Sequence, residues 1–170
     1  MSVRRHGLLA WAGAALMAGC ASPLLAQEPW QEGAAPEPPA LRLKGLVPVE
    51  LPRSTLRFGV QPDSVSIGPD RVVRYVVVAT SASGALNALY EGIRCDEGKV
   101  KVYARHTPGA GWTPTRDAPW ESLHDNAGHR HSLAIARSGA CIGRGTNTSA
   151  ERVLRDLAAP VDERFRIELR

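Results

Sequence analysis

The sequence predicts an α+β fold: a small antiparallel β-sheet of about five or six strands in meander order, covered by one or two short helices and closed by one disulfide. Three observations predict it. β-branched residues crowd Val72 to Ala79 (VVRYVVVA), two more strand-like runs follow across short turns, and Cys95 and Cys141 are the only cysteines beyond the N-terminal region. Residues 41–143 hold this β-rich domain, with a C-terminal helix and tail over 144–170. That length suits one compact unit and not two, and no internal repeat is present.

At the N-terminus, Arg4 and Arg5 precede an uncharged apolar run from Gly7 to Gly19, so residues 1–19 read as a secretory signal, too short for a membrane span. The basic pair is followed by His6 and Gly7, which suits a positive n-region better than a twin-arginine signal. Leu16-Met17-Ala18-Gly19-Cys20 approximates a bacterial lipobox, with Met17 where Leu is usual, and makes Cys20 the lipidated first residue of the mature chain. The alternative is a cut after Ala26, releasing a soluble periplasmic or secreted protein. Within residues 20–40 the stretch Glu28 to Ala40 (EPWQEGAAPEPPA) is rich in Pro, Ala and Glu and lacks apolar periodicity; it is expected to be an unfolded or polyproline-like tether holding the domain off the membrane.

Thr55 to Val60 and Ser64 to Gly68 read as two short strands broken at Pro62-Asp63, and Pro69-Asp70 turns the chain into the central strand. Val72 to Ala79 carries branched residues at both parities, as a strand covered on both faces does. Leu86 to Cys95 places Leu89, Ile93 and Cys95 on one face and Leu86, Ala88, Tyr90 and Arg94 on the other, with hairpin turn chemistry at Ser81 to Gly84. Lys99 to Arg105 alternates, with Val100, Val102 and Ala104 inward and Lys99, Lys101 and Arg105 outward; Gly98 suits the left-handed position of the loop before it. Trp112 and Trp120 are expected to cover a sheet edge or face. His129 to Ser138 suggests a short helix. Thr148 and Glu151 have capping-box spacing, and Val153, Leu154 and Leu157 form an apolar stripe that Pro160 ends. Phe165, Ile167 and Leu169 allow a last short strand.

Loss of the signal takes the basic residues from 21 to 19 against 17 acidic ones, and the formal charge from +4 to +2. So small an excess, without a basic run, excludes a nucleic-acid partner. Export implies an oxidising compartment, where Cys95 and Cys141 pair. Glu91 with Arg74 or Arg94 reads as a cross-strand ion pair; the rival reading is a catalytic acid with an electrostatic partner. Gly92 marks a bulge or close packing under an aromatic such as Tyr90. His124, His129 and His131, beside Asp125, are residue types that bind zinc or copper, but no recognised spacing accompanies them, and a solvated helix start accounts for them without a metal. No phosphate loop, nucleophile elbow or paired-carboxylate motif occurs, and GRGTNTS at 143–149 reads as a linker. No catalytic residue, metal or cofactor is assigned.

The run RYVVVATSASGALNALYEGIRC from Arg74 to Cys95, followed by VYA at 102–104, GW at 111–112, PW at 119–120 and Cys141, resembles the proteobacterial CNP-one-like family, named after a cryptic neisserial protein. The resemblance covers 55–143. It implies an exported protein of this fold and supplies no catalytic residue, since the family has no assigned activity. A remoter similarity is to surface adhesins of the protein E type, small antiparallel sheets with a helix and one disulfide. The expected function is therefore a cell-envelope lipoprotein, a non-catalytic binding or structural module. Ala21 and Ser22, without a retaining aspartate, direct it to the outer membrane, facing the periplasm or the cell surface, with another envelope protein as partner. The alternative is a periplasmic metal-binding protein or hydrolase using His124, His129, His131 and Glu91.

Overall fold

Residues Val72 to Val78 are each at most 2 % exposed, so the run of branched side chains is covered on both faces. This is the middle of the protein, which a computed structural model describes for residues 29–125 and 127–160. In chain order the elements are β1 (Val47–Val49), β2 (Arg57–Val60), β3 (Ser66–Ile67), β4 (Val73–Thr80), β5 (Leu86–Arg94), β6 (Lys99–Thr107), β7 (Gly111–Pro114), β8 (Glu121–Ser122), α1 (Arg130–Ile135), β9 (Cys141–Ile142), β10 (Gly145–Thr146) and α2 (Ala150–Ala158).

Among the described residues the main sheet is antiparallel and has eight strands, more than the five or six expected, in the order β1-β2-β4-β5-β6-β7. β3 continues the β2 edge along β4, and β8 shares the outer edge of β6 with β7. The additions are strands of two to four residues, too short to show a period of two. The break at Pro62 is real: a 3-10 turn over Pro62–Ser64 separates β2 from β3, and the Ser64 hydroxyl accepts the Val76 N–H that the break leaves without a strand partner. Gly98 takes φ 62°, as the short loop between β5 and β6 requires.

One face, here the front, packs Val73, Tyr75, Val77, Ile93 and Val100 against Ile135 of α1 and Val153 and Leu157 of α2. The C-terminal helix, which lies beyond the 41–143 boundary, is thus one of the helices that cover the sheet. Its N-cap is Ser149, whose side chain accepts the Arg152 N–H at 3.3 Å, and not Thr148. The Thr148 N–H is instead held by the Asn147 side chain, which also donates to Gly139 and Asp156. Cys95 and Cys141 form the expected disulfide, tying the end of β5 to β9.

The back face carries Val76, Val78, Ala88, Tyr90 and Ala104, and here the expected tether is corrected. Residues 29–40 form no helix or strand, yet they are not free: they run across the back face as a strap. Trp30 Nε1–H donates to the Asp70 carbonyl, Glu32 accepts from Lys101, Tyr103 and Trp120, and Trp112 donates to the Pro39 carbonyl. The buried Gln61 side chain clamps Ala40 and Arg42. The two indoles cover a face, as expected, by pinning this strap to it. The signal segment with Cys20, and the alternation Phe165, Ile167, Leu169, lie outside the described residues. Among the described residues no helix is long and apolar enough to cross a membrane.

Candidate functional site

The helices leave part of the front face open, and the gap is a cavity of about 580 Å³. Phe58 of β2, Val77 of β4, Leu89 of β5 and Val102 of β6 form its floor, the Thr115–Glu121 connection forms one wall, and His129 and His131 close another side. A β-bulge shapes it. Tyr90 pairs with Ala104 and Glu91 with Val102, so Tyr103 is the extra residue. Two consequences correct the simple alternation expected for β6. Ala104 leaves the face of Val100 and Val102 and joins the back core, and Arg105, expected outward, follows Leu89 onto the front and lines the cavity.

Beneath the cavity lies Glu91, fully buried. Its Oε1 is 3.0 Å from His131 Nε2, and its Oε2 accepts the Tyr75 hydroxyl at 2.9 Å and the Ser132 hydroxyl at 3.0 Å. A carboxylate only accepts, so Nε2 carries the proton. Burial works to raise the Glu91 carboxyl, but the hydrogen bond and charge of His131, with the two hydroxyls, outweigh it and hold the group below its ordinary range. Burial and the neighbouring Glu91 push the Tyr75 phenol well above its own. The His131 ring stacks on Phe58, centroids 5.1 Å apart, which fixes its plane.

The expected pairing of Glu91 with Arg74 or Arg94 does not form. Opposite parity separates them: Arg74 pairs with Gly92 across the strands and points to the back, as Arg94 does, whereas Glu91 pairs with Tyr75 and points to the front. Arg74, 2 % exposed, bonds Asp70 through two contacts and the Gly33 carbonyl. Arg94 pairs with Asp96 and Glu97 and lies 3.6 Å over the Trp30 ring. Gly92 does give room to an aromatic, but to Tyr103 and not Tyr90.

The three histidines do not converge. His131 belongs to Glu91, His129 Nε2 is 3.3 Å from Glu121, and His124 lies beside Gly98 in the β5–β6 loop. The rings of His129 and His131 are 6.5 Å apart, and among the described residues no group of three or more His, Cys, Asp or Glu could hold a metal ion. Sequence reasoning missed Asp70, Glu32, Tyr75, Ser132, Arg105 and Arg116. Two of these had a signal: a lone arginine inside a valine strand demands an acid, and Asp70 stands four residues before it; and a tryptophan in a Pro/Ala-rich stretch signals a docked segment.

The whole is an α+β protein with a two-faced antiparallel sheet, a disulfide, a strapped back and a front groove whose one buried acid is internally committed. The chain belongs to the CNP1-like family, whose model matches residues 25–158. The match takes in both the strap and α2, which the resemblance over 55–143 had left outside. No curated protein and no solved structure matches the chain.

Proposed function

We propose that the chain is an exported cell-envelope protein, lipidated at Cys20 and held at the outer membrane, where it serves as a non-catalytic module binding another envelope component through its front groove. The observation that carries the non-catalytic reading is the state of Glu91. Both its oxygens accept hydrogen bonds from Tyr75, Ser132 and His131 inside the core, and the side chain has no exposed surface to offer a substrate. His131, 6 % exposed, is spent in the same network. What the groove presents is an apolar floor with charged walls, the make-up of a binding surface. The disulfide supports export. Because the strap docks from Trp30 onward, only about ten residues, a chain length of at most roughly 35 Å, separate Cys20 from the domain, which supports a position near the membrane.

A photo-crosslinking residue in place of Asn87 in the groove, compared with one at Ile142 outside it, tests the reading in intact envelopes. Adducts from Asn87 alone are the expected result; adducts from neither position count against a binding groove. Labelling with a palmitate analogue, lost in Cys20→Ala, tests the anchor, and a mature N-terminus at Gln27 without label removes it. Stoichiometric zinc or copper in untagged protein, lost when His124, His129 and His131 are all replaced, establishes the metal-binding alternative instead.

A further inference from the structure

We infer that the front groove takes an amphipathic anion, an aliphatic chain ending in a carboxylate; this rests on the binding-module reading and names the ligand class. Two opposite chemistries meet in the cavity. Phe58, Val77, Leu89 and Val102 offer an apolar floor, and covering such surface favours binding. Arg105 and Arg116 line the same cavity, and among the described residues neither guanidinium has an acidic partner.

Asp117 and Glu121 share the lining with them, but among the described residues neither acid is ion-paired with Arg105 or Arg116, and Glu121 lies instead 3.3 Å from His129 Nε2. A guanidinium binds a carboxylate through paired N–H donors, in a geometry that a lysine cannot supply. A small inorganic anion would answer the arginines and leave the floor in water; an uncharged tail would cover the floor and leave the arginines unanswered. Only a ligand with both parts satisfies the site. A volume of about 580 Å³ lies within the roughly 300–1,000 Å³ of small-molecule sites.

The placement of Arg105 is built into the ladder. Without the extra residue at Tyr103, strict alternation would send Arg105 to the back face, where Lys101 already serves Glu32 of the strap. Bulges of this kind re-aim side chains beside functional sites.

The test is titration calorimetry of the full exported chain carrying Cys20→Ser, with dodecanoate below its micelle concentration, a nonionic dodecyl glycoside and acetate. Dodecanoate is expected to bind saturably at one site, with the other two at least tenfold weaker. Arg105→Gln should weaken dodecanoate about tenfold and the double variant with Arg116→Gln further, while Arg137→Gln, exposed outside the groove, changes nothing. Both groove arginines are exposed, so unchanged melting of each variant verifies its fold. Absence of saturable dodecanoate binding, or binding indifferent to the head group and to both arginines, overturns the inference. If that happens while Asn87 still yields adducts, the ligand class falls and the binding module stands; if Asn87 yields none, both fall. A protein adduct at Asn87 that dodecanoate does not displace overturns the ligand class as well.

Discussion

Glu91 of β5 and His131 of α1 meet at 3.0 Å beneath the groove, joining the sheet to the helix that covers it. Removing the acid strands three donors in the core. Glu91→Ala is expected to lower the unfolding free energy by about 3–5 kcal/mol, the range for one partner lost from a buried pair, and Glu91→Gln by less, since an amide still accepts. Urea unfolding measures both; a Glu91→Ala variant as stable as the parent would show that the network contributes nothing.

Acid should unfold the protein through its paired carboxylates. In Glu91 and Glu32, ordinarily near 4.5, and Asp70, ordinarily near 3.8, burial favours the neutral form, but hydrogen bonds from His131, Lys101 and Arg74 respectively lead the contributions that leave each pKa lowered. A carboxyl with a lower pKa folded than unfolded adds stability above its unfolded value and loses it as pH falls through its folded value. Stability from these groups should therefore hold from neutrality to about pH 5 and decline below it. Chemical denaturation from pH 7 to pH 3 reads this, and the decline should be shallower in Glu91→Gln.

The disulfide joins positions separated by 46 residues. Closing a loop of that size removes roughly 4 kcal/mol of unfolded-state freedom in the chain-entropy model, a large share of a small domain's stability. Cys95→Ser should melt well below the parent, and reductant should bring the parent down while leaving the variant unchanged. Free thiols at both positions in exported protein, found by mass spectrometry, would contradict this.

The strap belongs to the folded unit. Glu32, partly buried, accepts from three donors, and Glu32→Ala should cost about 1.5–3 kcal/mol, the range for hydrogen bonds to a charged group. A chain starting at Gln27 should fold and one starting at Leu41 should not, by near-ultraviolet circular dichroism. Equal stability of the two would restore the free tether.

Gly92 has no room for a side chain. A Cβ there would lie 2.7 Å from Tyr103 Cε2 and 2.8 Å from Val72 Cγ1. Gly92→Ala is expected to destabilise by about 1–3 kcal/mol, and Gly92→Ala with Tyr103→Leu to recover part of the loss; no recovery would place the strain at Val72.

Whatever depends on neighbours in the chain was legible in the sequence. The branched run at Val72–Val78, the break at Pro62, the left-handed Gly98, the Val153 and Leu157 stripe and the two pairing cysteines follow from periodicity, turn chemistry and cysteine count, and the structure has all of them. Even the failure of Glu91 to pair with Arg94 was present in the parity of β5, since residues three apart on a strand face opposite ways. The partners themselves were not. Glu91 meets His131 across 40 positions and Glu32 meets Tyr103 across 71, and one extra residue at Tyr103 moves Arg105 from one face to the other. These were decided by the tertiary structure, because a local window records which way a side chain alternates, whereas the group it meets depends on where distant segments return to the sheet, and buried charges accept only the return that satisfies them.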